Sequence, residues 1–330
     1  MNTVFLDSKM SDDARRGSLY AGQLFVFSPS QCSLELCRFA REMAQEAFGS
    51  LDPQSAQFSL PVEQYVAILA DLKPRFIHHP TCKELLSRIL GELGCDLEKT
   101  YFDVPRMRTA THGGYLTAGI AYAYHPHRDT WYAGPMCQIT WWMPVYDIEP
   151  ENAIAFHLRY WNHAVRNGSA EFNYGEWNGD GRRNAAQHIT VDTRKHPRPE
   201  EPVELHPQVR LICPPGGLIV FSGAHLHSTV PNTSGRTRFS IDFRTVHRDD
   251  AMNDRGALNV DSACTGTAMG DYLRCSDLTH LPPELIDRYE AGNAVCLEPE
   301  RRRSVGARRR SRSSVRPRAG GKRSSASASI

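Results

Sequence analysis

The 330-residue chain has no run of about 18 consecutive apolar residues, so no ordinary membrane-spanning helix is expected. Met1 to Arg16 is polar and charged, without the apolar stretch a secretory signal uses. The nine cysteines are scattered and odd in number, and no Cys-x-x-Cys pair occurs. That argues against a disulfide framework and against a zinc ribbon, and makes a reducing cytoplasm the expected compartment. Acid is missing from the end of the chain. Residues 301–330 hold eleven Lys/Arg and no Asp or Glu, which leaves 28 basic against 37 acidic residues in the rest. The overall charge of +2 therefore conceals a body of net charge −9 carrying a basic tail. With 40% hydrophobic residues, that body can bury a substantial core.

Hydrophobic periodicity divides the chain. Residues 1–18 are expected to be disordered. Gly22 to Phe27 reads as a strand, and Ser28-Pro-Ser-Gln-Cys-Ser33 offers helix-start chemistry. Leu34, Cys37, Phe39, Ala40, Met43, Ala44 and Phe48 then recur near helical spacing. Two more helices are predicted, Val62 to Leu72, ending before Pro74, and Cys82 to Leu93, stopping near Gly94. Residues 19–98 thus make a helical buttress. From Thr100 the pattern turns to strands: Thr100–Val104, Thr117–Tyr124, Cys137–Tyr146, Ala153–Phe156, Val209–Cys213, Gly217–Phe221 and Thr237–Val246. Pro214-Pro-Gly-Gly217 marks a turn. The expected fold is mainly β with a helical buttress (α+β): a double-stranded β-helix, or cupin-like jelly roll, over residues 99–247 behind N-terminal helices. Residues 160–202, rich in Asn, Gly, Arg, Trp and Tyr, interrupt it as a long insert. Inserts of this kind serve as active-site lids or remain surface loops. Residues 248–299 form a C-terminal extension with a short helix at Pro282–Tyr289, and residues 300–330 a disordered basic tail.

The chemistry starts at His125-Pro-His-Arg-Asp129. On an extended chain His125, His127 and Asp129 share one face. His-x-Asp spacing selects His127 with Asp129 as metal ligands; His-x-His spacing selects His125 with His127, as in cupin sites. A further ligand must come from elsewhere. The segment Phe221 to Ser240 offers His225 and His227, followed by Arg236 and Arg238 at equal spacing. Two histidines and one carboxylate make the facial triad of non-haem Fe(II) oxygenases.

The residues around the second histidine distinguish the options. His227-Ser228, Asn232 five positions on, Arg238 eleven on, and Ser240 resemble the distal half of a phytanoyl-CoA dioxygenase-like 2-oxoglutarate oxygenase. Gly217–Gly223 resembles that family's strand delivering the distal histidine, and Trp142–Asn152 its strand and turn before the insert. The chain departs at Asn152–Tyr160, where the family often has a Gly-rich turn and a Pro-Gly-Ser-His run. The resemblance covers residues 99–247. It implies Fe(II) held by His127, Asp129 and His227. It further implies 2-oxoglutarate gripped by Arg238 and Ser240, with Gln138 and Asn232 alongside. The implied reaction hydroxylates a small molecule with O2, forming succinate and CO2. A carboxylate at Asp129, where related halogenases have a small residue, favours hydroxylation, or desaturation or cyclisation. Trp131, Tyr132, Trp142 and Arg244 are candidate substrate contacts, although core packing is the ordinary use of buried aromatics. Arg244 follows Arg238 on the same face of the same predicted strand.

Two other readings compete. One is a cupin-like isomerase, or another metalloenzyme without 2-oxoglutarate, using His125, His127 and His227. The other is non-enzymatic and makes the basic tail the functional part, a nucleic-acid or anionic-surface binder beside an inert barrel. The tail has no interleaved aromatics and the acidic body repels phosphate, so nucleic acid is disfavoured as a partner. The sequence names no substrate and no oligomeric state.

Overall fold

The computed structural model describes residues 2–121, 125–181, 185–188 and 191–292, within a compact unit spanning Met1–Cys296. The basic tail, the end of the predicted strand at 122–124 and parts of the insert lie outside the described residues.

The N-terminus corrects the expectation of disorder. Strand β1 (Val4–Leu6) pairs in parallel with β2 (Leu24–Phe27), and helix α1 (Asp12–Tyr20) connects them. Ser11 caps α1 by accepting from the Ala14 amide, and Asp12 and Asp13 occupy its first turn. Part of its buried face is arginine. Arg15 and Arg16 donate to Asp12 at 2.7 and 2.9 Å, and Arg16 also pairs with Asp250. Buried charge paired in this way is tolerated, but it carries no hydrophobic signature.

Helix α2 (Gln31–Phe48) opens with a reciprocal cap between Ser30 and Ser33 and stops at Gly49, whose φ is 64°. Helix α3 (Val62–His78) runs through Pro74 instead of ending before it. Leu72 and Phe76, on either side of the proline, are fully buried, and this packing offsets the missing backbone hydrogen bond. Helix α4 (Pro80–Glu92) starts on its proline. Leu36, Leu69, Phe76 and Leu86 from these helices share one core cluster with Trp141, Phe239, Ile241 and Phe243. The helices thus pack against one face of the sheet.

Among the described residues the main sheet has eight strands. Its path is β1-β2-β8-β5-β10-β3-β11, with β4 also paired to β10. Here β3 is Thr100–Phe102, β4 Arg106–Ala110, β5 Ile139–Pro144, β8 Leu218–Ser222, β10 Arg238–His247 and β11 Leu273–Arg274. A second sheet has the order β7-β6-β9, with β6 at Ile154–Phe156, β7 at Val209–Leu211 and β9 at His227–Thr229. Trp142, Ile219 and Phe221 of the large sheet pack with Ile154 and Phe156 of the small one. The result is a mixed α/β fold around a large sheet faced by a smaller one; among the described residues no single barrel closes.

Strand β10 organises the site. Phe239, Ile241 and Phe243 enter the helical core. Arg238, Ser240, Asp242 and Arg244 alternate with them and take the opposite face. Strands β4 and β9 were not predicted. Within Thr117–Tyr124, residues Gly119–Ala121 form a 3-10 turn and not a strand, with Gly119 at φ 68°. The closing helix forms at Pro283–Gly292, close to its expected place.

Candidate metal centre

The His125–Asp129 segment meets the small sheet at one point. His127 and His227 form an isolated antiparallel bridge, each amide donating to the other's carbonyl at 2.9 Å. Residues paired in this way project their side chains to the same face, and the imidazole centroids lie 4.3 Å apart. Each ring is oriented by its own chain. Nδ1 of His127 bonds the His125 carbonyl at 2.8 Å, and Nδ1 of His227 bonds the His225 carbonyl at 3.0 Å. A carbonyl only accepts, so the proton sits on Nδ1 and Nε2 carries the lone pair a metal requires. Burial holds both imidazoles below their ordinary pKa, in the neutral ligating form.

Asp129 begins a 3-10 turn, Asp129–Tyr132, just past the bridge. Its Oδ1 lies 3.7 Å from His127 Nε2. Its Oδ2 accepts from Thr140 Oγ1 at 2.5 Å and Gln138 Nε2 at 3.2 Å, with Arg244 Nε at 3.5 Å. Burial alone would raise this carboxyl's pKa. The Arg244 guanidinium leads the groups that outweigh burial and hold it ionised well below the usual range. One oxygen is thus anchored and the other faces the histidines. Donor atoms of His127, Asp129 and His227 all lie within 4.8 Å of one another, and all three residues are buried. Two neutral imidazoles and one carboxylate oxygen, each fixed by a partner behind it, fit a first-row divalent metal with open positions. His125 is not in this group; its Nε2 lies 2.8 Å from the Pro197 carbonyl.

The three donors line a cavity of about 1000 Å³, together with Arg238, Trp142, Ile154 and Phe221. Arg238 is buried, and its Nη1 donates to the Asn152 carbonyl at 2.9 Å and, at 3.3 Å, to that of Ala153. Its Nε and the Ser240 hydroxyl have no hydrogen-bond partner among the described residues. Burial, opposed by Asp242, brings its pKa down to about 10. A buried cation without a bonded carboxylate, beside an unsatisfied hydroxyl, fits an anionic ligand.

The remaining expected site residues separate by position. Gln138 lines the cavity, but its amide holds Asp129 and its Oε1 accepts from Tyr272 at 3.2 Å. Asn232 is used elsewhere: its amide donates to the Ala110 and Arg236 carbonyls, and its Oδ1 accepts from Ser234. It braces the turn before β10. Trp131 is fully buried among Val165 and Leu226, with its indole donating to Asp261 at 2.8 Å. Tyr132 and Trp142 do line the cavity, and Tyr132 stands edge-on to His127. Arg244 also lines it, but faces the chain's own carboxylates: Asp103 at 3.1 Å, Asp129 at 3.5 Å and Asp242 at 4.0 Å. The insert contributes Tyr174, Trp177, Arg194 and His196 to the cavity wall.

Sequence reasoning gave no role to Lys73, Asp103, Arg108 or Asp242. All four line the cavity, and Arg108 bonds Asp242 at 2.5 Å. No motif marks them, because they converge from a helix, two strands and the loop between β3 and β4.

No family model matches the sequence, and no curated protein matches it. Several solved structures are similar to the chain. The apo form of the non-heme monooxygenase ThoJ is 15% identical over 67% of this chain and 71% of that one, with a TM-score of 0.33. The epimerase SnoN, in complex with Fe3+, alpha ketoglutarate and nogalamycin RO, is 15% identical over 72% and 85%, with a TM-score of 0.35. The non-heme alpha ketoglutarate dependent carbocyclase SnoK is 15% identical over 75% and 91%, with a TM-score of 0.34. Similarity at this level carries no activity over to this chain, and the functional reading rests on its own residues.

Proposed function

We propose that the chain is a non-haem Fe(II)/2-oxoglutarate-dependent oxygenase that hydroxylates a small molecule in the cavity. The observation that carries this reading is a conjunction in one cavity. Three facial donors, His127, Asp129 and His227, share it with a buried guanidinium, Arg238, that is bonded to no carboxylate among the described residues.

His127, Asp129 and His227 would hold Fe(II) on one side. With 2-oxoglutarate and O2, the bound metal supplies the oxidising chemistry, with succinate and CO2 as co-products. Arg238 and Ser240 bind the far carboxylate of 2-oxoglutarate, the guanidinium through charge-assisted bonds. Thr140 and Gln138 hold one oxygen of Asp129, so this carboxylate ligates through the other. Trp142, Ile154 and Phe221 keep that end of the cavity apolar and exclude water. Tyr132 and the insert residues Tyr174 and Trp177 border the space left for substrate.

Strand pairing supports a jelly roll as the scaffold. The order β4-β10-β5-β8 lies on one side, and the His127 bridge followed by β9-β6-β7 on the other. The cupin-like alternative is less well supported, because it needs His125, which faces Pro197, and gives Arg238 no role.

Anaerobic titration of the protein with Fe(II) and 2-oxoglutarate tests the reading. A weak visible charge-transfer band is expected. No band, together with full activity in the Arg238→Ala variant, would overturn it. Succinate release across a panel of metabolites then identifies the substrate.

A further inference from the structure

Arg128 lies between two proposed metal ligands, yet it cannot reach a metal. Chain alternation turns it to the face opposite His127 and Asp129, and it is 1% exposed. Its guanidinium is fully engaged. Nε donates to Asp261 at 3.0 Å, Nη1 to the Ala224 carbonyl, and Nη2 to the carbonyls of Tyr160 at 2.7 Å and His163 at 2.9 Å. Asp261 also accepts from the Trp131 indole at 2.8 Å and the Val165 amide at 3.0 Å. One buried pair thus joins the Asp129 turn, the turn leading to His227, the start of the insert and the C-terminal extension.

The extension continues along the same turn. Ser262 Oγ and Cys264 Sγ donate to the Thr130 carbonyl at 2.7 and 3.3 Å. The amides of Ala257 and Ala268 donate to the carbonyls of Met136 and Ala133 at 2.9 and 3.1 Å. At Gly256 a Cβ would lie 2.6 Å from Met136 backbone atoms, so the two segments touch main chain to main chain. This contact answers a need. The ladder that places His127 ends at its isolated bridge, and Asp129 lies beyond it. Among the described residues, strand-like support past that point is limited to a 3.3 Å bond from the Thr130 amide to the Gly223 carbonyl. Side chains of the sheet, Thr140 and Arg244, reach the Asp129 carboxylate, but strand pairing does little to fix the backbone of the turn.

We propose that Arg128 and Asp261 are positioning residues of the metal centre. Through them the 257–268 segment sets the orientation of the turn carrying Asp129, and so sets metal affinity. The proposal rests on the assignment of His127, Asp129 and His227 as ligands. An ordinary buried ion pair would affect stability alone, so the test separates affinity from stability.

Co(II) is titrated into the full-length protein, its visible spectrum recorded, and Tm measured for wild type, Asp261→Asn and Asp250→Asn. Asp250 belongs to another buried arginine pair, with Arg16, outside the cavity wall. Asp261→Asn is expected to weaken Co(II) binding about 10–100-fold and alter its spectrum, as loss of support behind a ligand does. Asp250→Asn is expected to lower Tm while keeping the wild-type affinity and spectrum. Binding within twofold of wild type in Asp261→Asn overturns the proposal. If that variant does not fold, Arg128→Lys, which keeps the charge and loses the fork, is held to the same threshold. A wild type that binds no Co(II) overturns the ligand assignment itself, a separate result from wild-type binding with an unaffected variant.

Discussion

His127 and His227 stand directly opposite one another, each amide bonded to the other's carbonyl at 2.9 Å, with ring centroids 4.3 Å apart. A one-residue slip of either segment would turn its histidine to the other face, so strand register sets the donor pair. The bridge itself is backbone. His127→Ala and His227→Ala should therefore keep the fold, with unchanged far-ultraviolet circular dichroism. Calorimetric titration should show metal affinity lowered by more than about 100-fold, beyond the usual loss from a supporting residue. A variant that binds metal as wild type does removes that histidine from the ligand set.

Arg238 predicts a thermodynamic signature for 2-oxoglutarate. The ligand would pair with a guanidinium that has no bonded carboxylate, beside the unsatisfied Ser240 hydroxyl. At about one hundred times its Kd, a ligand specific to the folded state adds about 2.7 kcal/mol of stability. Metal-loaded wild type should therefore show a Tm that climbs with 2-oxoglutarate concentration. Arg238→Met should show almost no climb, and Arg238→Lys a climb displaced to concentrations at least about tenfold higher, because an ammonium lacks the fork. Equal climbs in all three proteins would place the co-substrate elsewhere.

The donor group was legible because its signals are local: His127-x-Asp129 at a strand end, and His227 in a segment followed by Arg238 and Ser240. The core strands were legible through runs such as Leu-Ile-Val-Phe at 218–221. Strand β4 was not, because its Arg106 and Arg108 turn toward Asp103 and Asp242 within the fold, and charge in the sequence reads as exposure. Helix α1 was hidden for the same reason, its buried arginines being matched by Asp12 and Asp250. Asn232 shows the converse. The family resemblance put it beside the co-substrate, but its amide bonds two backbone carbonyls at the turn before β10. Spacing identifies a position in a chain, while a side chain's partner depends on which segments the fold brings beside it.

Gly223 gives a prediction at a residue far from Asp129 in sequence and close to it in space. A Cβ there would lie 2.7 Å from Gln138 Nε2 and 3.3 Å from Asp129 Cβ. Gln138 cannot retreat freely, because Oε1 accepts from Tyr272 while Nε2 donates to Asp129. Gly223→Ala should therefore cost about 1–3 kcal/mol of stability through overpacking and should also weaken metal binding. Urea denaturation and metal titration of the same preparation check both. A loss of stability with unchanged metal affinity would show that Asp129 tolerates displacement of Gln138.

Lys73 predicts a pH dependence of stability. Its ammonium, in the cavity wall on α3, donates to Thr109 Oγ1 at 3.1 Å and to the Ile120 carbonyl. Burial, reinforced by Arg108 and opposed by Asp242, brings its pKa down to about 7 from 10.5. Below pH 7 both folded and unfolded chains hold the proton, and the folded state bears the full cost of a buried charge. Between about pH 7 and 10.5 the unfolded chain binds more protons, so stability rises with pH across that window. Each pKa unit corresponds to about 1.4 kcal/mol. Lys73→Met removes the titration but loses the same two hydrogen bonds at every pH. Relative to wild type, the variant should be most favoured near pH 6.5, and its margin should fall by up to about 3 kcal/mol by pH 9.5. Urea midpoints at the two pH values measure this. A margin that does not change with pH would mean that Lys73 titrates near its ordinary value in the folded protein.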